Sequence, residues 1–259
     1  MRGWMTVGVA SAWMACGAAT APTKPTAPTS PPASAFLTDT VQSATGAVAD
    51  VRELLGHVDP ATHPDFVAIP TAWCAREGLM LRTEACSTFV AMAEAAALEG
   101  IRLEALSATR TFAHQRSIWE RKWSRPRYMG WEGVDIARDI LTYSSMPGSS
   151  RHHWGTDLDL HSLESDDFTH GEGQRVVAWL RANAEGFGFV EVYTEDPART
   201  GYLPEPWHWS YMPLAEAFLA QLEEARARNE LPAFAGFSGA ELADSLGIFD
   251  AYMRGIHRP

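Results

Sequence analysis

The sequence predicts a mixed fold of class α+β, on three observations. Apolar residues recur at helical spacing in Thr83–Leu98, Gly173–Ala184 and Pro213–Arg228. Shorter stretches, Ile101–Leu106 and Val190–Tyr193 among them, read as strands. Clusters of proline, glycine and small polar residues separate these segments. With 259 residues, 46% apolar and 20% charged, the chain can bury one sizeable core. A formal net charge of −11 and the lack of any basic stripe argue against a nucleic-acid partner.

Three regions follow in order. Residues 1–19 read as an export signal: Arg2, then the apolar run Gly3–Ala15, too short to span a bilayer as a helix. Ala15-Cys16-Gly17 resembles a bacterial lipoprotein cleavage site, in which Cys16 would carry the lipid anchor; plain secretion is the alternative, and both place the mature chain in the periplasm or cell envelope. Residues 20–36 are rich in proline, threonine and serine and form a linker. Residues 37–259 form the folded domain, ending in a helical extension expected over Glu241–Tyr252.

Within the domain, Phe66–Ile69 reads as a short strand. Ala85, Phe89, Met92 and Ala96 make one buried stripe of the first long helix, which Glu99-Gly100 ends. The strand of residues 101–106 leads to Ser107–Arg110, and a helix rich in aromatic and charged residues occupies 112–124. Residues 128–148 make an excursion, with a short helix around Val134–Tyr143, that can wall a cleft. Cys74 and Cys86 lie in an exported domain, which favours a disulfide between them over two buried thiols.

Chemistry concentrates in two stretches, Ser149–Leu160 and Pro204–Trp209. Together they offer what a hydrolytic zinc site needs: three ligands from His and Asp, and a carboxylate near the open position. His152 and Asp159 stand seven positions apart, as in a loop entering a strand, and His208 supplies a third ligand. Glu205 lies three before His208, and Pro204 and Pro206 exclude a helix there. Gly155 allows a tight turn beside the ligands.

The pattern S-x-H-x-x-G-x-x-x-D from Ser150 to Asp159, followed by E-x-W-H from Glu205 to His208, resembles the VanY-type D-alanyl-D-alanine carboxypeptidases of the LAS group of zinc peptidases. Upstream, Ser107–Gln115 matches the family segment S-x-x-R-[ST]-x-x-x-Q. The resemblance covers roughly residues 50–215 and, more loosely, the C-terminal tail. It implies a small, mainly antiparallel sheet carrying one zinc ion, packed by helices. It implies His152, Asp159 and His208 as metal ligands, Glu205 as catalytic base, and Arg110, Gln115 and Ser150 as substrate-binding groups. The implied activity is removal of the C-terminal D-alanine from peptidoglycan stem peptides. An LD-carboxypeptidase or an endopeptidase would share the metal site, and a non-catalytic wall-binding module would have no use for a positioned base.

Asp157 stands where many members have alanine, and it is either an acceptor for a ligand imidazole or a solvated strand residue. His153, adjacent to His152, either supports the ligands from behind or is exposed. His114 either lines the cleft or takes an exposed helix position, and His161 could neighbour the metal without binding it.

Overall fold

The computed structural model describes residues 49–259. The expected export signal, the expected linker and Cys16 lie outside the described residues. Six helices and six strands carry the fold: α1 Val51–Leu54, β1 Phe66–Ala68, β2 Met80–Arg82, α2 Thr83–Leu98, β3 Ala105–Ser107, α3 Phe112–Trp123, α4 Gly133–Ile140, β4 Asp157–Leu160, α5 Gly171–Asn183, β5 Phe189–Glu191, β6 His208–Tyr211 and α6 Met212–Ala227. β1 and β2 form an antiparallel pair, and the other four strands form a sheet in the order β3-β4-β6-β5, antiparallel throughout. A mixed fold with small antiparallel sheets is therefore what forms. Among the described residues, no helix is long and apolar enough to cross a membrane.

The main core lies between this sheet and helices α2, α5 and α6. Phe89, Met92 and Ala96 of α2 meet Leu158 and Leu160 of β4, Phe189 of β5, Trp209 of β6 and Phe218 of α6 in one cluster. A second cluster joins Trp119 of α3 and Ile136 and Ile140 of α4 to Phe237, Ile248 and Ile256 near the C-terminus. The helix expected over Glu241–Tyr252 is instead a 3-10 turn, Ala240–Leu242, and a π-helical turn, Ile248–Met253. Gly247 adopts φ 63° between them and interrupts α-helical continuity.

This C-terminal segment grips two parts of the chain. Trp119 donates its indole N–H to the Ser238 carbonyl at 2.8 Å, and Ser238 binds the Glu120 carboxylate through both its backbone N–H and its hydroxyl, each at 2.8 Å. At the far end the Thr200 hydroxyl donates to the Ala251 carbonyl at 3.0 Å, and the His257 amide donates to the Val192 carbonyl at 2.8 Å. Tyr252 stacks edge-on against Tyr202, their ring centroids 4.9 Å apart.

The cysteine expectation is corrected: Cys74 and Cys86 are free, buried thiols. Cys74, just after the 3-10 turn Thr71–Trp73, points at the Ile69 and Pro70 carbonyls, while Cys86, on the first turn of α2, points at the Ala68 carbonyl. Their sulfurs are thus turned to different backbone acceptors rather than to each other.

Candidate metal centre

The site follows from strand pleating. Asp157 and Asp159 alternate with Leu158 and Leu160 on β4, so the two carboxylates share one face and the leucines fill the core on the other. Antiparallel pairing sets Asp159 opposite His208 and Asp157 opposite Ser210. Two adjacent strands thereby place a carboxylate and an imidazole side by side.

His152 reaches the same point from the 3-10 turn Arg151–Trp154. Gly155 ends that turn at φ 74°, where a Cβ would come within 2.4 Å of the Phe66 ring, so both the backbone conformation and the close approach require glycine. Arg82 fastens the turn by donating from Nε to the Trp154 carbonyl at 2.8 Å. The Arg110 amide donates to the His152 carbonyl at 3.0 Å, joining the upstream motif to this one.

His152 Nε2 lies 3.3 Å from Asp159 Oδ1, which lies 3.2 Å from His208 Nδ1. One potential ligand atom from each of the three falls within 4.8 Å of the others, and all three residues are buried. Glu205, whose Oε2 is 3.8 Å from His208 Nδ1, completes the group. The remaining imidazole nitrogens are already engaged. His152 Nδ1 is 2.8 Å from the Ala108 carbonyl, which can only accept, so Nδ1 carries the hydrogen and Nε2 keeps its lone pair. His208 Nε2 is 2.8 Å from Asp157 Oδ2, which fixes the hydrogen on Nε2 and leaves Nδ1 toward Asp159. Two oriented imidazoles and a carboxylate, backed by acceptors on the far ring nitrogens, form a donor set that fits a tetrahedral zinc ion with one position open.

The electrostatics also fit a cation. Burial alone would lower the pKa of His208, but its bonds to Asp157 and Asp159 outweigh that and push it up to about 9. Burial opposes ionisation of Asp159, yet the neighbouring His152 and Arg110 hold its carboxyl well below the usual range. Burial pushes the Glu205 carboxyl up to about 7. A cleft of about 680 Å³ opens above the group, lined by Glu205, Ser150, Arg110, Tyr193, Tyr202 and Trp207 among others.

Of the two readings of Asp157, the structure selects the imidazole acceptor. This carboxylate is fully buried and receives bonds from Thr156 Oγ1 at 2.6 Å, Ser210 Oγ at 2.8 Å and Arg151 Nε at 3.1 Å, besides His208. His153 is not exposed. It staples two loops, with Nδ1 2.6 Å from the Arg110 carbonyl and Nε2 accepting the Gly148 amide at 3.0 Å. Burial pushes its pKa down to about 3.

Two expected substrate groups border the cleft and one does not. Ser150 lines it with a buried hydroxyl that has no hydrogen-bond partner. Arg110 lines it too, while bonding Ser107 Oγ at 2.9 Å and pairing with Asp159 Oδ2. Gln115, expected to face substrate, is instead fully buried on the inner face of α3, where its amide nitrogen donates to the Ser145 carbonyl at 2.8 Å. That bond ties α3 to the loop before Ser150. His114 lines the cleft, whereas His161 packs against Phe168.

Sequence reasoning missed Arg151, the buried counter-charge of Asp157, whose guanidinium also lies 4.5 Å from the Trp154 ring. The signal was available in Asp157 itself, because a buried carboxylate demands a cation. It also missed Tyr193, whose ring centroid lies 4.6 Å from that of His208. Nothing in the local pattern marks a tyrosine at the end of a strand as belonging to the site.

With this geometry in hand, comparison with known proteins adds the following. The VanY family model, described as D-alanyl-D-alanine carboxypeptidase, matches residues 78–214. A Bacillus subtilis (strain 168) protein named "Putative carboxypeptidase YodJ" is 28% identical over 184 residues; the match spans 67% of this chain and 63% of that relative's length. Among solved structures, a vancomycin resistance D,D-pentapeptidase VanY in complex with Zn(II) is 26% identical, with a TM-score of 0.45, over 55% of this chain and 78% of that one. An LdcB LD-carboxypeptidase is 24% identical, with a TM-score of 0.48, over 62% and 74% of the two chains.

Proposed function

The chain belongs to the VanY D-alanyl-D-alanine carboxypeptidase family, and from that premise we propose that it is a zinc-dependent peptidase of the cell envelope that removes the C-terminal D-alanine from peptidoglycan stem peptides. The observation that carries this reading is the meeting of His152, Asp159 and His208 within 4.8 Å on the floor of a cleft. One zinc ion held by these three would supply Lewis acidity to the scissile carbonyl and to the attacking water.

The chain's own groups do the rest. Glu205 takes the proton of the attacking water and returns it to the leaving amine nitrogen. Its burial suits this exchange, because a base near neutrality can both accept and release a proton. Asp157 keeps the His208 ring in one tautomer, and the Ala108 carbonyl does the same for His152. Arg110 holds Asp159 with one N–H and keeps further donors for the terminal carboxylate of the substrate. The Ser150 hydroxyl offers a second polar contact from the cleft wall.

The test is incubation of the zinc-loaded protein with defined tri-, tetra- and pentapeptide muropeptides, with products read by mass. Loss of one D-alanine from the pentapeptide alone is expected. Trimming of the tetrapeptide instead would replace the D,D reading by an L,D one, cleavage inside the stem would make the protein an endopeptidase, and no cleavage at full zinc occupancy would remove the activity altogether.

A further inference from the structure

One wall of the cleft carries charge that the proposed hydrolysis does not use. His114, Ile118, Arg121 and Lys122 of α3 all line the cleft. His114, Ile118 and Arg121 stand at spacings of four and three along one side of the helix, and Lys122 lies between that side and the buried Gln115 and Trp119. Arg76, from the loop between Cys74 and β2, borders the same cleft. Lys122 is set in place by a hydrogen bond from its ammonium to Ser144 Oγ.

Among the described residues, these cations form no ion pair of the kind found elsewhere in the molecule, although the Glu205 carboxylate attracts Lys122. Arg110 pairs with Asp159 and Arg151 with Asp157. Among the described residues, Arg76, Arg121 and Lys122 form no ion pair, in a chain whose formal net charge is −11. They also act on one another. Burial and then the charges of Arg110, Arg76 and Arg121 lower the pKa of His114, and burial and then Arg125 lower that of Lys122, with Glu205 as its acidic neighbour. Glu164 and Asp166, from the loop after β4, border the cleft as well and would repel an anion toward α3. Like charges gathered without partners are unfavourable in the free protein, and an anionic ligand relieves them.

We infer that the basic wall formed by Arg76, Arg121 and Lys122 is a subsite for a second carboxylate of the substrate, borne on a residue upstream of the scissile bond and distinct from the terminal carboxylate. The inference rests on the carboxypeptidase reading and names the substrate class more narrowly: acidic peptides, with the carboxylate left unamidated.

The probe is a pair of synthetic peptides ending in D-alanyl-D-alanine that differ only in carrying glutamate or glutamine immediately before that pair. The zinc-loaded wild-type protein should favour the glutamate peptide in kcat/KM by about tenfold or more, the scale of one charge-assisted hydrogen bond. Raised salt should shrink the ratio. In the Arg121→Gln/Lys122→Gln double variant the ratio should fall toward one, and the exposed Arg76→Gln change, which leaves α3 intact, should move it the same way. Equal cleavage of both peptides by the wild-type protein overturns the subsite and leaves the carboxypeptidase reading standing. Cleavage of neither overturns both. A ratio unchanged in all the variants assigns the preference to another part of the cleft and also overturns the subsite.

Discussion

The floor and the α3 wall of the cleft handle charge in opposite ways. On the floor, Asp157, Asp159 and Arg151 are buried and paired. On the wall and the loop beside it, Arg121, Lys122 and Arg76 line the opening and, among the described residues, form no ion pair. Burial accounts for the difference. An uncompensated charge inside a protein costs several kcal/mol, so the floor must be neutralised by the chain itself. A charge at the mouth of a cleft stays partly hydrated and can wait for a ligand. Internal pairing thus shapes a site, and unpaired charge selects what enters it.

Three substitutions at or behind the floor would break or sharpen this contrast. The largest expected effect is from Glu205→Gln, which removes the proposed base without altering the three ligands. Hydrolysis should fall by about 10²–10⁴-fold with zinc retained, as measured by turnover alongside metal content. Full activity in that variant would take Glu205 out of the mechanism. Next comes Asp157→Ala. It strips the acceptor from His208 and leaves Arg151 buried and unpaired, so zinc affinity should drop by about 10–100-fold and stability by about 3–5 kcal/mol. Metal titration and denaturant unfolding read the two losses separately, and an unchanged affinity would show that Asp157 is only a partner for Arg151.

The smallest effect concerns pH. The fold lowers the pKa of His153 from 6.5 to about 3, so it favours the neutral ring. The stabilisation is complete above pH 6.5 and drains away as pH falls toward 3, because the unfolded chain takes up the proton first. In His153→Gln the side chain can still donate to the Arg110 carbonyl and accept from Gly148, but it cannot titrate. Stability should then decline less steeply across that acid range, measured by denaturant melts at successive pH values. An identical slope would mean that other groups set the acid response.

Much of this arrangement was legible in the sequence because it depends on short-range rules. The seven-residue spacing of His152 and Asp159, the proline-flanked Glu205 and the resemblance carried by these segments marked the candidate ligands and base before any geometry was known. α2 was readable at both ends because its stripe of Ala85, Phe89, Met92 and Ala96 is uninterrupted. What local pattern could not show was partner choice at long range. Gln115 carries the same motif position whether it faces a cleft or the Ser145 carbonyl, and tertiary packing alone decides which. The cysteines were misread for a similar reason. Compartment allows a disulfide, but only the paths of the turn at Cys74 and of α2 determine whether two sulfurs meet. The Glu241–Tyr252 segment has helix-forming residues, and one glycine at positive φ redirects it.

That redirected tail bears on where the domain's working boundary lies. Gly201 has no room for a Cβ because the Ala251 carbonyl would sit 2.2 Å away, so the stretch approaching Glu205 is moulded directly onto the last turn of the chain. A chain ended after α6, at residue 227, would retain every proposed ligand and the proposed base. It would lose the clamp that holds their two supports, α3 and the 200–205 stretch, at a fixed separation. The tail that grips both is therefore expected to belong to the working unit, and shortening the chain from that end should loosen the proposed site before it unravels the sheet.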